Sequence, residues 1–444
     1  MQTIKREFPG LIKLAYPLVL TQLAQFGIVF TDVVMMGLIG PEALAGAGLG
    51  GAVFSLLLIF STGLITVLTN QVTSHLQDKT LIQQFVHTGL FLSFILFIIF
   101  GSLLWNIKPI LIMLGQQQIV VDTASLYLKA LMWGMLPNLF YMTLRAFTIG
   151  VLQPQLISVI TIGAMVLNII LNLAFIYAFP NLGVINLGIA SSLVFFAMFI
   201  VLVINILLNK KLKGYKLFRD FKFFYPKLIY KLLRLGIPMG MIFTFEGGFF
   251  ILGTFMAGLF GTTSLAAHHI AMQLSILTYM VTVGIANATS VMVSQAYGLQ
   301  QFNRVHSIGR AGVCLGLLWM SVPSILFLLS PKPFIYLFTY FNMEQMQEVI
   351  SVAIGLLMIA AAFQLFDGLQ GITFSILRGI EEGFKPMLIA IIGYWCVGAP
   401  LAYLFAFVFD WGIQGVWWGL ACGLATTGLL GWSFFEWRIA RLQS

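Results

Sequence analysis

Three acidic residues of this sequence stand where acids rarely stand. Of its 14 Asp and Glu residues, only Asp32, Glu246 and Asp367 lie deep inside long apolar runs; the others fit loops, run ends or termini. A carboxylate at the centre of a membrane-spanning helix costs roughly 2.5–3.5 kcal/mol on insertion scales. Residues of this kind face a water-filled cavity or an interior partner, and they mark ion or proton pathways. Glu246 and Asp367 therefore suggest a shared Na+ or proton site, because a buried acid pair can exchange a proton for a metal cation. For Asp32 the candidate partners are Asn168 and Asn172, spaced i, i+4 so that one helix face presents both amides. Ser191 or Ser192 could complete the shell. Amide and carboxylate oxygens are hard ligands of the kind a small cation accepts, by analogy with other hard cations. The competing reading for all of these residues is structural, as hydrogen bonds between helices in lipid.

Such residues need elements that cross a membrane, and the composition supplies them. The chain has 444 residues, 60% hydrophobic and only 8% charged. Soluble domains carry about 25% charged residues, so this chain lacks a water-compatible surface. No Asp, Glu, Lys or Arg occurs between Arg145 and Lys210, or between Glu246 and Arg304. Each gap holds two spans of about 20 residues. The pattern predicts twelve helices, near 14–39, 44–74, 84–106, 121–149, 155–179, 187–208, 232–258, 264–296, 310–330, 346–376, 386–408 and 412–436. The fold class is an all-α polytopic membrane protein.

The chain also repeats itself. Leu-Ile-Lys-Leu-Ala-Tyr-Pro at 11–17 matches Leu-Leu-Arg-Leu-Gly-Ile-Pro at 232–238, and the same offset of 221 places Gly37 on Gly258 and Gly63 on Gly284. Leu144-Arg145 matches Leu377-Arg378 at an offset of 233. The expected organisation is an N-terminal lobe at 1–208, a basic linker at 209–231 and a C-terminal lobe at 232–444. Each lobe has six helices, the repeats are parallel, and a cleft lies between them. In repeat coordinates Gln25 corresponds to Glu246, Asp32 to Gly253, and Gly134 to Asp367. The first half thus holds one buried acid and the second half two. Pro17 and Pro238 fall at equivalent places and are candidate kinks or hinges.

Net charge +9 invites a nucleic-acid reading, but the charges are placed otherwise. Lys210, Lys211, Lys213, Lys216, Arg219, Lys222, Lys227, Lys231 and Arg234 cluster in and beside the linker, on the same side as both termini. The positive-inside rule makes that side cytoplasmic, with anionic lipid as a contact and no nucleic-acid partner. Cys314, Cys396 and Cys422 give no disulfide framework or metal spacing. The first span reads as a retained helix rather than a signal peptide. Adjacent His268 and His269 point to different faces and suggest packing or interface roles. No His-Glu-x-x-His or Gly-x-Ser-x-Gly string supports an enzyme.

Taken in order, these motifs resemble the multidrug and toxic compound extrusion (MATE) family, in its NorM-like bacterial branch. The resemblance covers essentially the whole chain. It rests on Gln25 to Asp32 followed by Met36-Gly37, on Phe245-Glu246 with Ala266-Ala267-His268, on Gln295-Ala296-Tyr297-Gly298, and on Phe363-Gln364 to Asp367 leading to Leu377-Arg378-Gly379. It implies V-shaped six-helix lobes and export of amphipathic, mostly cationic compounds in exchange for Na+ or H+. It also implies a cation site at Glu246 and Asp367, with Asp32 linked to coupling. Two departures bear on the ion: Phe363 stands where some relatives have Tyr, and Asn172 stands where another branch has a second Asp. No cofactor is expected beyond the coupling ion. The expected setting is a monomer in the bacterial inner membrane, with both termini cytoplasmic. The alternative is a lipid or oligosaccharide flippase of the same superfamily, although buried acids suit a cationic cargo better than a pyrophosphate. A subset of the 41 Phe and 20 Met residues facing the cleft would bind flat cations by stacking.

Overall fold

The structure is a computed structural model that describes residues 2–113, 115–219, 222, 224–339 and 346–443. Residues 220, 221 and 223 of the basic linker lie outside the described set. In chain order the helices are α1 (Gln2–Ile39), α2 (Pro41–Ser74), α3 (Lys79–Trp105), α4 (Ile107–Met113), α5 (Gln118–Gly150), α6 (Pro154–Ala178), α7 (Ile185–Leu208) and α8 (Lys210–Lys213). They continue as α9 (Pro226–Leu259), α10 (Thr262–Gly298), α11 (Phe302–Leu329), α12 (Lys332–Thr339), α13 (Gln347–Gly379), α14 (Phe384–Ala390), α15 (Ala399–Tyr403) and α16 (Gly412–Gln443). Among the described residues twelve helical segments are long and apolar enough to cross a membrane, the eleventh running from Phe384 to Val408 through α14 and α15.

All twelve fall where the apolar runs place them, but several are longer. α1 starts at Gln2 rather than near 14, α11 at Phe302 rather than near 310, and α16 ends at Gln443 rather than near 436. Hydropathy reads only the lipid-crossing turns, whereas a helix once nucleated extends at little cost into its charged ends. The short helices α4 and α12 were not expected. Each follows the third span of its half and carries a Lys-Pro pair, at Lys108-Pro109 and Lys332-Pro333.

Packing divides the chain into two compact units, residues 1–19 with 241–444 and residues 20–240. The divisions fall just beyond Pro17 in α1 and Pro238 in α9, rather than in the basic linker. Within the first unit Gly284 of α10 lies against α1, where a Cβ on Gly284 would stand 2.6 Å from Val19 Cα. Within the second, a Cβ on Gly63 of α2 would stand 2.6 Å from the Gly240 nitrogen. These are repeat-equivalent glycines, and in each unit their bare backbone is what admits the neighbouring helix. The hub of each unit is the fourth span of a repeat: α13 packs on α10, α11 and α16, and α5 packs on α2, α3 and α7.

The eleventh span departs from α geometry, and its sequence explains why. Gly415, Gly419, Gly423 and Thr427 recur every four residues along one face of α16. Opposite them stand Gly393, Gly398, Ala402 and Ala406, with backbones in close approach at each level. Small residues at such spacing let helices pack tightly in lipid. The second series has a first step of five residues, which a regular α-helix would rotate off the seam. A π-helical stretch at Ile391–Gly398 absorbs the extra residue, and Ala399 N–H donates to Tyr394 C=O, five residues back. A second stretch follows at Leu404–Val408, where Phe409 N–H donates to Leu404 C=O at 3.0 Å. A Cβ on Gly419 would run into Ala402 backbone, which has no room to yield. Gly419→Ala is therefore expected to destabilise by about 1–3 kcal/mol through overpacking. Gly258→Ala, which meets nothing within 4 Å, is expected to leave the unfolding midpoint in detergent unchanged.

Candidate functional site

Several acids at helix ends find basic partners, as a charged group near water readily does. Within one unit Glu382 pairs with Arg438 at 2.8 Å, Glu436 with Arg310 at 3.1 Å and Glu7 with Arg304 at 3.2 Å. The three acids inside the spans do not. Neutral side chains hydrogen-bond Asp32, whereas Asp367 Oδ1 is left without a partner among the described residues.

Asp32 lies on α1 in the unit of residues 20–240. Asn168 and Asn172 Nδ2, both fully buried on α6, donate to its Oδ1 at 3.0 and 2.9 Å. Ser191 Oγ of α7 donates to Oδ2 at 3.2 Å. The i, i+4 spacing of the two amides is what lets one helix face offer both donors to one oxygen. The pair is also self-braced, because Asn172 Nδ2 reaches Asn168 Oδ1 at 3.2 Å. Ser192 does not join; it bonds the Ala130 carbonyl at 2.8 Å and receives Gly134 N–H at 3.1 Å. The glycine equivalent to Asp367 is thus a packing position in this unit. Three donors solvate the Asp32 carboxylate in place of water, as a charge within an apolar bundle requires. Asn172 Oδ1 has no hydrogen-bond partner among the described residues.

Glu246 on α9 and Asp367 on α13 lie in the other unit, close enough to act electrostatically on one another. Asp367 is only 4% exposed, while Glu246 is less deeply covered. Gln370, one turn beyond Asp367 on the same helix face, stands beside Glu246. One turn before it, Gln364 Oε1 accepts from Thr278 Oγ1 of α10 at 3.0 Å. Tyr279 of α10 and Tyr394 of the π-helical stretch stand near both acids. Phe363 packs on Phe250 and Trp417, with ring centroids at 6.1 and 5.4 Å, and brings no oxygen. Among the described residues Asp367 Oδ1 and Gln370 Oε1 have no hydrogen-bond partner. Buried polar atoms are almost always paired, so two orphan acceptors beside a second carboxylate form a site suited to a cation or a proton. The ligand atoms on offer are carboxylate, amide and phenol oxygens, which suit a hard cation rather than a soft metal.

Arg378 is a charge whose burial sequence reading did not foresee. It is 5% exposed, eleven residues along α13 from Asp367, and donates to Asn287 Oδ1 at 3.1 Å, Ser375 Oγ at 3.3 Å and Ser290 Oγ at 3.4 Å. Its repeat-equivalent Arg145 donates to Gln22 Oε1 at 3.1 Å. Arg378 stands within electrostatic reach of Tyr279. His268 is a packing residue: Trp417 Nε1 donates to its Nδ1 at 3.1 Å, and Thr254 Oγ1 lies 3.0 Å from its Nε2. Sequence reading missed Gln370, although its place one turn from Asp367 was a signal; Tyr279 and Tyr394, far away in sequence, carried none.

Comparison with known proteins adds a second line. A family model described as MatE matches twice, over residues 17–174 and 238–404, the two matches starting 221 residues apart like the internal repeat. A probable multidrug resistance protein NorM of Pseudomonas aeruginosa is 35% identical over 441 residues, covering 98% of this chain and 90% of that protein. One of the same name from Synechocystis is 30% identical over 448 residues, covering 100% and 96%. In fold, an outward-facing multidrug resistance MATE family transporter of the MOP superfamily superposes with a TM-score of 0.88 at 22% identity, over 98% of this chain and 96% of that one. A MATE crystal structure in complex with MaL6 gives 0.88 at 23% identity, over 98% and 96%.

Proposed function

This chain belongs to the MatE family of multi-pass membrane transporters, and from that premise we propose that it is a multidrug exporter driven by Na+ or H+ at Glu246 and Asp367. The single observation that carries the ion site is the unpaired Oδ1 of Asp367, buried beside Glu246 and the unpaired Gln370 oxygen. An ion taken up there joins α9 to α13 through their carboxylates, and its release parts them again. The cargo is an amphipathic, mostly cationic compound leaving the cytoplasm, since the relatives are named for multidrug resistance and the carboxylates of the site suit a cation better than a pyrophosphate. The membrane is the bacterial inner membrane, with the basic linker and both termini on its cytoplasmic side. Asp32 with Asn168, Asn172 and Ser191 forms a second coupling centre, in which the amides turn their oxygens inward when an ion displaces their N–H groups.

One charge moving down 100 mV supplies about 2.3 kcal/mol, enough for a cargo gradient of about 50-fold. The test is efflux from proteoliposomes with Na+, proton and voltage gradients imposed one at a time. Cargo should accumulate against its gradient with one of the two ions and collapse when that ion is equilibrated. Equal transport without any ion gradient would sink the coupling, and lipid scrambling without drug efflux would favour a flippase.

A further inference from the structure

The Glu246/Asp367 site has more oxygens around it than its acids, and one is placed there by the π-helical stretch. Tyr394 is fully buried, its ring stacked on Phe249 with centroids 5.3 Å apart and planes at 23°. Phe249 lies one turn beyond Glu246 on α9, so the stacked ring sets Tyr394 beside that turn, within electrostatic reach of Glu246, Asp367 and Tyr279. Among the described residues its hydroxyl makes no complete hydrogen bond. The side-chain candidate is Thr427; its own hydroxyl proton goes to the Gly423 and Leu424 carbonyls at 3.0 and 2.9 Å, so it can only accept from the phenol, which leaves the lone pairs of the Tyr394 oxygen free. A phenol that only filled space here would be replaced by phenylalanine without loss; a buried hydroxyl without a partner is disfavoured.

We propose that Tyr394 is a further ligand of the coupling ion, its phenol oxygen completing a Na+ site with the carboxylates of Glu246 and Asp367 and the amide oxygen of Gln370. The proposal rests on the reading that the acid pair holds the ion. A proton needs one base, and two carboxylates already exceed that need. A hard metal cation takes many oxygens at once, so neutral oxygens gathered on a carboxylate pair fit Na+. The local sequence fixes the placement. The five-residue step from Gly393 to Gly398 forces the π turn, and that turn sets the direction of residue 394. Packing and ion binding are thereby linked, because the seam that closes the eleventh span on α16 also aims the ligand.

The experiment is equilibrium binding of radioactive Na+ to the purified full chain, with thermal unfolding in Na+-free buffer measured in parallel. Tyr394→Phe keeps the ring on Phe249 and is expected to weaken Na+ binding about ten-fold, the loss of one neutral oxygen contact, with the Na+-free unfolding midpoint unchanged. Thr427→Val should leave Na+ affinity unchanged. Glu246→Gln and Asp367→Asn should abolish binding. Wild-type affinity in Tyr394→Phe, while the acid variants lose theirs, would overturn the role of Tyr394 and leave the acid site standing. Equal losses of stability in Tyr394→Phe and Thr427→Val, with Na+ affinity intact in both, would make the hydroxyl structural. A wild type that binds no Na+ would overturn the Na+ site and the role of Tyr394 while leaving proton coupling at the acids, and Na+ binding that is equal in wild type and acid variants would remove the ion from the acid pair altogether.

Discussion

Asp367→Asn is expected to reduce ion-driven efflux by on the order of 100-fold while the protein stays folded. The magnitude follows from the setting. Losing one partner of a buried charged contact costs about 3–5 kcal/mol, which is at least about two decades at 1.4 kcal/mol each. The stability expectation has the opposite sign. Asp367 Oδ1 has no hydrogen-bond partner among the described residues, and the side chain is 4% exposed. Removing a buried, incompletely solvated charge should leave the unfolding midpoint level or raise it. Glu246→Gln should behave alike, and the double variant should transport no worse than either single one, because the two acids act as one site. Ethidium efflux in a pump-deficient host, beside unfolding of the purified variants, reads both quantities. Efflux at wild-type level in either acid variant would remove the driver from this unit. A large fall in stability would make Asp367 a structural tie.

Much of this site was legible in the sequence because burial of charge in lipid is costly enough to be conspicuous. Three acids in apolar runs, two Asn at i, i+4 and a repeat offset suffice to put Asp32, Glu246 and Asp367 on their helices. What hydropathy passed over has physical reasons. Arg378 falls just past the apolar run at 346–376, where span-end cations stand, yet Asn287, Ser290 and Ser375 enclose it. Nothing in a linear pattern distinguishes a snorkelling arginine from one held by hydroxyls on a neighbouring helix. Helix lengths were short at their charged ends, since a transfer scale measures lipid contact and not backbone hydrogen bonding. The division of the chain just after Pro17 and Pro238 depends on which glycine meets which backbone, a matter of packing. Tyr394 was hidden most deeply. Its direction depends on a 5-4-4 spacing of small residues, Gly393, Gly398, Ala402 and Ala406, which can be counted in the sequence but acquires meaning only against the 4-4-4 spacing on α16.

Asp32→Asn should part company with Asp367→Asn, and the contrast is the sharpest test of how labour is divided between the two units. Asp32 accepts three hydrogen bonds, from Asn168, Asn172 and Ser191. An asparagine there presents an N–H2 to donors that previously met a carboxylate, leaving at least one of them unpaired. Bonds to a charged acceptor contribute about 1.5–3 kcal/mol each, so the variant is expected to lose about 2–3 kcal/mol of stability, beyond a roughly ten-fold fall in efflux. Asn172→Ala should lose less, since Asn168 still serves Oδ1, and combining it with Asp32→Asn should be clearly less than additive because both changes break the same contact. The cycle, read by unfolding in detergent, isolates the Asp32–Asn172 bond from the rest of the bundle. Additive losses would mean that the two side chains do not depend on one another. A stable Asp32→Asn protein with wild-type efflux would reduce the amide-braced acid to a bystander, leaving Glu246 and Asp367 as the sole coupling acids.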